Sequence, residues 1–195
     1  MAWTYKQKFD DLNNGDLDGQ DNWSGSTDID VSETSPCQGT KSVRTNTEGA
    51  YIERSIDAVA NGILYVTMKS DAPSDSSVEF YLKDGGNDIA CVTLHTDQTI
   101  SFYITSGWQR YVIQDYTPGD CYRIGIEFNA TTDKYRVNVN GGEWTDWKDT
   151  IASFDTINTI RLMLYEAYGP SWGYWDFISP NAEEPAKARS QGHIF

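Results

Sequence analysis

The sequence predicts an all-β fold, an antiparallel β-sandwich or jelly roll, and three observations predict it. Apolar residues recur at every second position in segments of five to eight residues, short polar turns separate those segments, and helical periodicity is nearly absent. The alternation is explicit in "GILYVTM" (Leu64, Val66, Met68), "SVEFYL" (Val78, Phe80, Leu82) and "TISFYIT" (Ile100, Phe102, Ile104). It continues in "YRIGIEF" (Ile124, Ile126, Phe128) and "KYRVNVN" (Tyr135, Val137, Val139). "DIACVTLH", "WQRYVIQ", "TIRLMLYEA" and "YWDFIS" complete the series. The breaks "DGGND", "HTDQT", "TSGW", "TPGD", "NATTD" and "NGGEW" carry the Gly, Pro, Asn and Asp that tight hairpins need. Regular short strands joined this way fit a two-sheet sandwich.

Elements outside this rhythm are read separately. The region from Asp28 to Ser42 is irregular, and "SETSPCQGTKS" reads as a long loop. "TIASFDTI" reads as a helical turn or a crossing between sheets. The acidic opening "FDDLNNGDLDGQDNW" reads as the first strand and corner, with Phe9 and Trp23 as core anchors and Gly15 and Gly19 in turns. Its "DLDG" resembles the start of an EF-hand loop, but no Glu stands at the twelfth position and no flanking helices are evident. One jelly-roll domain is expected over residues 1–180. Residues 181–195, "NAEEPAKARSQGHIF" after Ser179-Pro180, are expected to be a tail or assembly arm through which the chain could oligomerise or dock.

Composition narrows the partners. With 195 residues and a net charge of −14, the chain is repelled by phosphate backbones and anionic bilayers, so neither nucleic acid nor membrane insertion is expected. No apolar run approaches the roughly 20 residues of a membrane span. No signal peptide is visible in "MAWTYKQKFDD", which leaves two explanations open, a trimmed sequence or exit from the cell by another route such as lysis or assembly into a virion; the start at Met1 leans toward a virion surface or another extracellular assembly. Cys37, Cys91 and Cys121 fit no metal knuckle; they are expected as buried thiols, with a Cys37–Cys121 bridge as the alternative. Cys91 lies mid-strand, where a small hydrophobe belongs.

Few groups carry recognisable chemistry. Glu79 and Glu127 are lone acids in alternating strands and read as solvent-facing positions. His95, Tyr103, Arg110 and Tyr111 offer the residue types a polysaccharide lyase needs, without a motif, and the second histidine, His193, lies in the tail. No nucleophile elbow, phosphate loop or dinucleotide fingerprint is present. The aromatic residues, 13% of the chain, are more informative. Trp108, Tyr111, Trp144, Trp147, Trp172 and Tyr174 form clusters suited to stacking on sugar rings, and core or interface packing is the competing use of the same residues.

The elements "FDDLNNGDLDGQDNWSG", "GTKSV", "YRIGIEFNATTDKYRVNVNGG" and "YWDFIS" together resemble the concanavalin A-like, or laminin-G-like, jelly roll over residues 4–180. The resemblance implies a lectin, carbohydrate-binding module, virion surface protein or glucanase-type setting. It also implies a structural Ca2+ joining the first strand to the last, held by Asp10 or Asp11 together with Asp176 and backbone carbonyls. The Glu-x-Asp-x-x-Glu run of its catalytic members is absent. A non-catalytic decoration or adhesion module that binds glycans, or docks to an assembly partner protein, is therefore expected. A glycoside hydrolase or lyase of the same fold is the alternative.

Overall fold

The computed structural model describes residues 4–71, 76–105, 107–167 and 171–180. Among them there are fifteen strands and no helix. They are β1 (Gly15–Asp16), β2 (Trp23–Gly25), β3 (Asp30–Ser32), β4 (Ser42–Thr45), β5 (Tyr51–Val59), β6 (Asn61–Ser70), β7 (Ser76–Asp84) and β8 (Asn87–Leu94). The rest are β9 (Thr99–Ile104), β10 (Gln109–Asp115), β11 (Tyr122–Asn129), β12 (Lys134–Val139), β13 (Lys148–Asp149), β14 (Ile157–Ala167) and β15 (Gly173–Ser179). No helix of the described residues is long and apolar enough to cross a membrane. "TIASFDTI" is thus a crossing between β13 and β14. The expected tail, 181–195, lies outside the described residues.

The strands form two antiparallel sheets. One runs β1-β3-β4-β15-β6-β11-β12-β13 and the other β10-β9-β8-β7-β14-β5-β2. Their facing sides meet in a single core, which takes the alternating residues of the sequence pattern: Leu64, Val66 and Met68 against Val78, Phe80 and Leu82, with Ile124, Ile126 and Phe128 alongside. Phe9 and Trp23 close one corner, their ring centroids 6.1 Å apart and both fully buried. Strand β5 breaks the alternation because Arg54, paired with Asp21 at 2.8 Å, takes the inward position between Ile52 and Ile56, and few of its residues enter the core.

Two sets of hydrogen bonds hold β15 in place. Gln7 and Ile178 exchange both backbone hydrogen bonds (2.8 and 2.9 Å), which docks the N-terminal segment on β15. Buried Arg123 donates to the Phe177 carbonyl, to Ser179 Oγ at 2.5 Å and to Thr67 Oγ1 at 3.3 Å. These bonds hold the bulge where Phe177 takes a left-handed φ of 36°. The cysteines depart from the favoured expectation: Cys37 and Cys121 form a disulfide, and Cys91 is the buried free thiol. The fold carries the β3–β4 loop onto the start of β11, a proximity that a separation of 84 residues does not announce.

Trp175 joins the sheets. It is fully buried on β15, and its Nε1–H donates to the backbone carbonyl of Glu79 on β7 at 2.9 Å. Replacing it with Phe leaves that carbonyl buried without its donor and removes ring volume. Trp175→Phe is expected to lower the unfolding free energy measured by denaturant titration by about 1–3 kcal/mol, whereas Trp147→Phe on the surface should stay within about 0.5 kcal/mol.

Candidate functional site

In β7, Val78, Phe80 and Leu82 enter the core, so Glu79, Tyr81 and Lys83 project from the outer face of the seven-stranded sheet. Register extends this into two rows across six strands. The first runs Tyr51 (β5), Met163 (β14), Glu79 (β7), Thr93 (β8), Ser101 (β9) and Val112 (β10). The second runs Glu53, Arg161, Tyr81, Cys91, Tyr103 and Arg110 over the same strands.

This face is polar yet largely shielded from solvent. Glu79 is 2% exposed, and Tyr81, Lys83, Thr93 and Ser101 are also buried. The expectation of a solvent-facing Glu79 is therefore corrected. Alternation shows only that Glu79 avoids the core, while Ile151 from the β13–β14 loop, with Tyr81, Cys91, Tyr103 and Met163, builds a second small cluster on this side. Glu127, on the other sheet, is half-buried and paired with Arg136 at 2.7 Å.

Hydrogen bonds and charges fix the rows. The Tyr81 hydroxyl donates to Glu79 Oε2. Burial first, then the neighbouring Cys91 and Glu79, push the Tyr81 phenol far above its ordinary value, so it remains a donor. Glu53 Oε1 accepts from Lys83 Nζ at 2.6 Å and from Arg161 Nε at 2.7 Å. Burial raises the Glu53 carboxyl, but these two cations outweigh it and hold it below its ordinary value. The Arg161 guanidinium also lies over the rings of Tyr51 (5.1 Å) and Tyr81 (5.4 Å). At one edge, Asp97 accepts from Arg110 (2.6 Å) and Thr99 (2.7 Å) and faces His95 Nδ1 at 3.1 Å.

Trp108 stands over the second row. It contacts Tyr103 and Tyr81 edge-on, at 5.6 and 6.2 Å, and is 41% exposed. The β9–β10 turn presents it with a left-handed φ of 53°, beside Thr105 at 61°. The outer face thus combines exposed rings (Tyr51, Trp108, Tyr165) with convergent, positioned polar groups, the composition of a small-molecule or sugar surface.

The sequence-predicted aromatic residues divide between the two sheets. Trp108 lies on the face just described. Tyr111, three positions on, turns toward the sheet interior against Phe102 (5.1 Å), with Lys148 over its ring. The other four belong to the outer face of the eight-stranded sheet, where cations stack on them: Arg136 over Trp144 (5.3 Å) and Trp147 (4.7 Å), Arg44 over Trp172 (4.2 Å), Lys69 over Tyr174 (3.9 Å). His95, Tyr103 and Arg110 do gather on the seven-stranded sheet. Sequence reading missed Glu53, Lys83 and Arg161, and assigned Glu79 no role; the signal available was a charged residue recurring on the outward positions of adjacent strands.

The predicted metal residues also separate. Asp10 and Asp176 both line a cavity of about 200 Å³ with Lys8, Gln38, Gly39 and Phe177, whereas Asp11 is exposed and does not line it. Asp176 is 1% exposed; its Oδ2 accepts from the amides of Gln38 (2.7 Å) and Cys37 (3.0 Å), and its Oδ1 from Phe177 (2.7 Å). Asp10 Oδ1 accepts from the amides of Thr40 (2.7 Å) and Lys41 (2.9 Å). Gly39, with φ 65°, lets the loop wrap this carboxylate, and a Cβ there would overlap it. Burial raises the Asp176 carboxyl; the amides from Gln38, Phe177 and Cys37 oppose the rise and the nearby Asp10 adds to it, leaving it at about 7.

No family model and no curated protein matches the chain. Solved structures do. A sialidase superposes with a TM-score of 0.70 at 14% identity, covering 91% of this chain and 18% of its own. The chain therefore spans less than a fifth of that enzyme. The β-glucanase of Bacillus licheniformis matches at 0.57 and 14% identity over 90% of this chain and 96% of its own. A tetrameric galectin from the ball sponge Cinachyrella matches at 0.51 and 15% identity over 66% and 97%. The two antiparallel sheets and these likenesses define a concanavalin A-like jelly roll.

The Glu53 ion pairs have a pH signature. Because its folded carboxyl lies below the ordinary carboxylate range, their contribution is complete above that range and is lost as pH falls through the depressed value. The melting-temperature gap between wild type and Glu53→Gln should be largest at about pH 7 and shrink toward about pH 3; a constant gap would show that the loss is one of packing.

Proposed function

We propose that the outer face of the seven-stranded sheet binds carbohydrate. The observation that carries this reading is the pair of cross-strand rows, in which exposed rings adjoin fixed hydrogen-bonding groups. Sugar rings present apolar C–H faces to an indole such as Trp108 and hydroxyls to donors and acceptors such as Arg161, Glu53 and Arg110. Structures sharing the fold include a glucanase, a transglycosylase and a galectin, which supports the same chemistry. The binding is read as non-catalytic. Glycoside hydrolysis uses two carboxyl groups flanking the scissile bond, and here Glu53 is neutralised by two cations while Glu79 is buried and held by Tyr81. The disulfide supports a place outside the cell, since such bonds persist in oxidising surroundings, and adhesion or decoration there, including on a virion, is the role we read for the module.

A glycan array tests this reading. Trp108→Ala and Arg161→Ala are each expected to weaken binding about tenfold or more, while Trp147→Ala on the opposite sheet leaves it unchanged. Loss of binding with Trp147→Ala alone would move the site to the eight-stranded sheet. Release of reducing ends from a polysaccharide panel, abolished by Glu79→Gln, would establish the enzyme alternative.

We further propose that Asp10 and Asp176 hold a calcium ion. Two carboxylates facing one small cavity at a junction of N-terminal segment, loop and last strand supply the oxygen chemistry a hard cation takes. The bound ion would neutralise the buried pair and pin the chain's ends together. Calorimetric titration with CaCl2 should show one site that Asp176→Asn removes and Asp11→Asn does not.

A further inference from the structure

We propose that the Cys37–Cys121 disulfide governs assembly of this cation site, so that oxidised protein holds the ion more tightly than reduced protein; the inference rests on the calcium reading above. Residues 33–41, between β3 and β4, have no regular structure, yet four of their backbone amides are committed to the two carboxylates. Cys37 and Gln38 donate to Asp176, and Thr40 and Lys41 donate to Asp10. The bridging residue is itself one of the donors: the amide of Cys37 meets Asp176 at 3.0 Å while its sulfur is bonded to Cys121, at the foot of β11. Gln38 and Gly39, the next two residues, form a wall of the cavity.

The remaining ties on this loop are non-covalent. Lys69 Nζ donates to the Ser35 carbonyl at 2.6 Å, Lys41 Nζ to the Leu12 carbonyl at 2.6 Å, and Asn14 to Glu33 at 3.1 Å. Without the bridge, ordering the loop against two like charges must offset the full conformational entropy of an irregular segment. With the bridge, that cost is met in advance and the cavity wall is preorganised for the ion. Cys121 is exposed and Cys37 half-buried, so a reductant has access. A dithiol reductant transfers two electrons and two protons: its thiolate attacks one sulfur of the bridge, its second thiol resolves the mixed disulfide, and Cys37 and Cys121 are released as thiols while the reductant closes to its own disulfide.

The test is calorimetric titration of the whole chain with CaCl2, oxidised and after reduction by dithiothreitol, and of the Cys37→Ser/Cys121→Ser chain. Hydrogen exchange is followed in the same samples. Calcium should bind the oxidised chain and bind the reduced and doubly substituted chains about tenfold more weakly or not at all. The amides of Cys37, Gln38, Thr40 and Lys41 should lose protection on reduction while those of β6 and β11 keep it. Equal calcium affinity in oxidised and reduced protein overturns this inference and leaves the calcium reading standing. No binding even to the oxidised chain overturns both. Uniform loss of protection along the chain on reduction also overturns the inference, because the bridge would then hold the whole fold and not this loop.

Discussion

The architecture depends on where β15 lies. It is the last described strand, yet it occupies an interior position of the eight-stranded sheet, between β4 and β6. From there Trp175 reaches across the core to the backbone of Glu79, Asp176 receives the β3–β4 loop, and Phe177 and Ser179 receive Arg123. One seven-residue segment thereby sets the spacing of the two sheets, supports the strand that carries the candidate binding face, and joins the N-terminal segment to the end of the domain. Its residues are buried throughout, and Asp176 and Phe177 among them line the small cavity beside the β3–β4 loop.

The two outer faces handle their polar and aromatic residues in different ways. On the eight-stranded sheet, Arg44, Lys69 and Arg136 lie against the faces of Trp172, Tyr174 and Trp147. Gly125 makes room for this: the ring of Tyr65 would stand 2.6 Å from a Cβ at that position, so the aromatic layer is pressed onto bare backbone. On the seven-stranded sheet, the cations Lys83 and Arg161 are drawn sideways onto Glu53, and the indole of Trp108 is held by the edges of two tyrosines. Exposure alone does not separate the two surfaces, since Trp108 and Trp147 are similarly accessible (41% and 37%). What separates these two indoles is the neighbour of each: the Arg136 guanidinium lies over the face of Trp147, whereas Tyr81 and Tyr103 meet Trp108 edge-on.

Much of the fold was legible from alternation because core burial on a pleated strand imposes a period of two. Val78, Phe80 and Leu82, or Ile124, Ile126 and Phe128, admit no other arrangement once the turns between them are seen. The candidate site was far less legible. Glu79 and Glu53 occupy positions that alternation labels merely as outward, and an outward position beneath a neighbouring loop is indistinguishable in sequence from one in water. The rows that give these residues meaning are made by register between strands up to about a hundred residues apart, such as Glu53 with Arg161. The disulfide was obscured for the same reason, and Asp176 stood out only because a strand ending in "YWDFIS" could be set beside the acidic opening.

The interior position of β15 also constrains the order in which the molecule can be made. Strands β4 and β6 are synthesised early, but neither can complete its pairing until residues 173–179 have left the ribosome. During that interval the eight-stranded sheet is two fragments, each with an open edge, and the core side chains Val43, Val66 and Met68 lack their neighbour across the gap. Non-local pairing of this kind is slow because the loop must close before any contact rewards it. Open edges in a waiting chain are sites of mispairing. A strongly acidic chain, with its mutual repulsion between copies, is well suited to passing through that interval without aggregating.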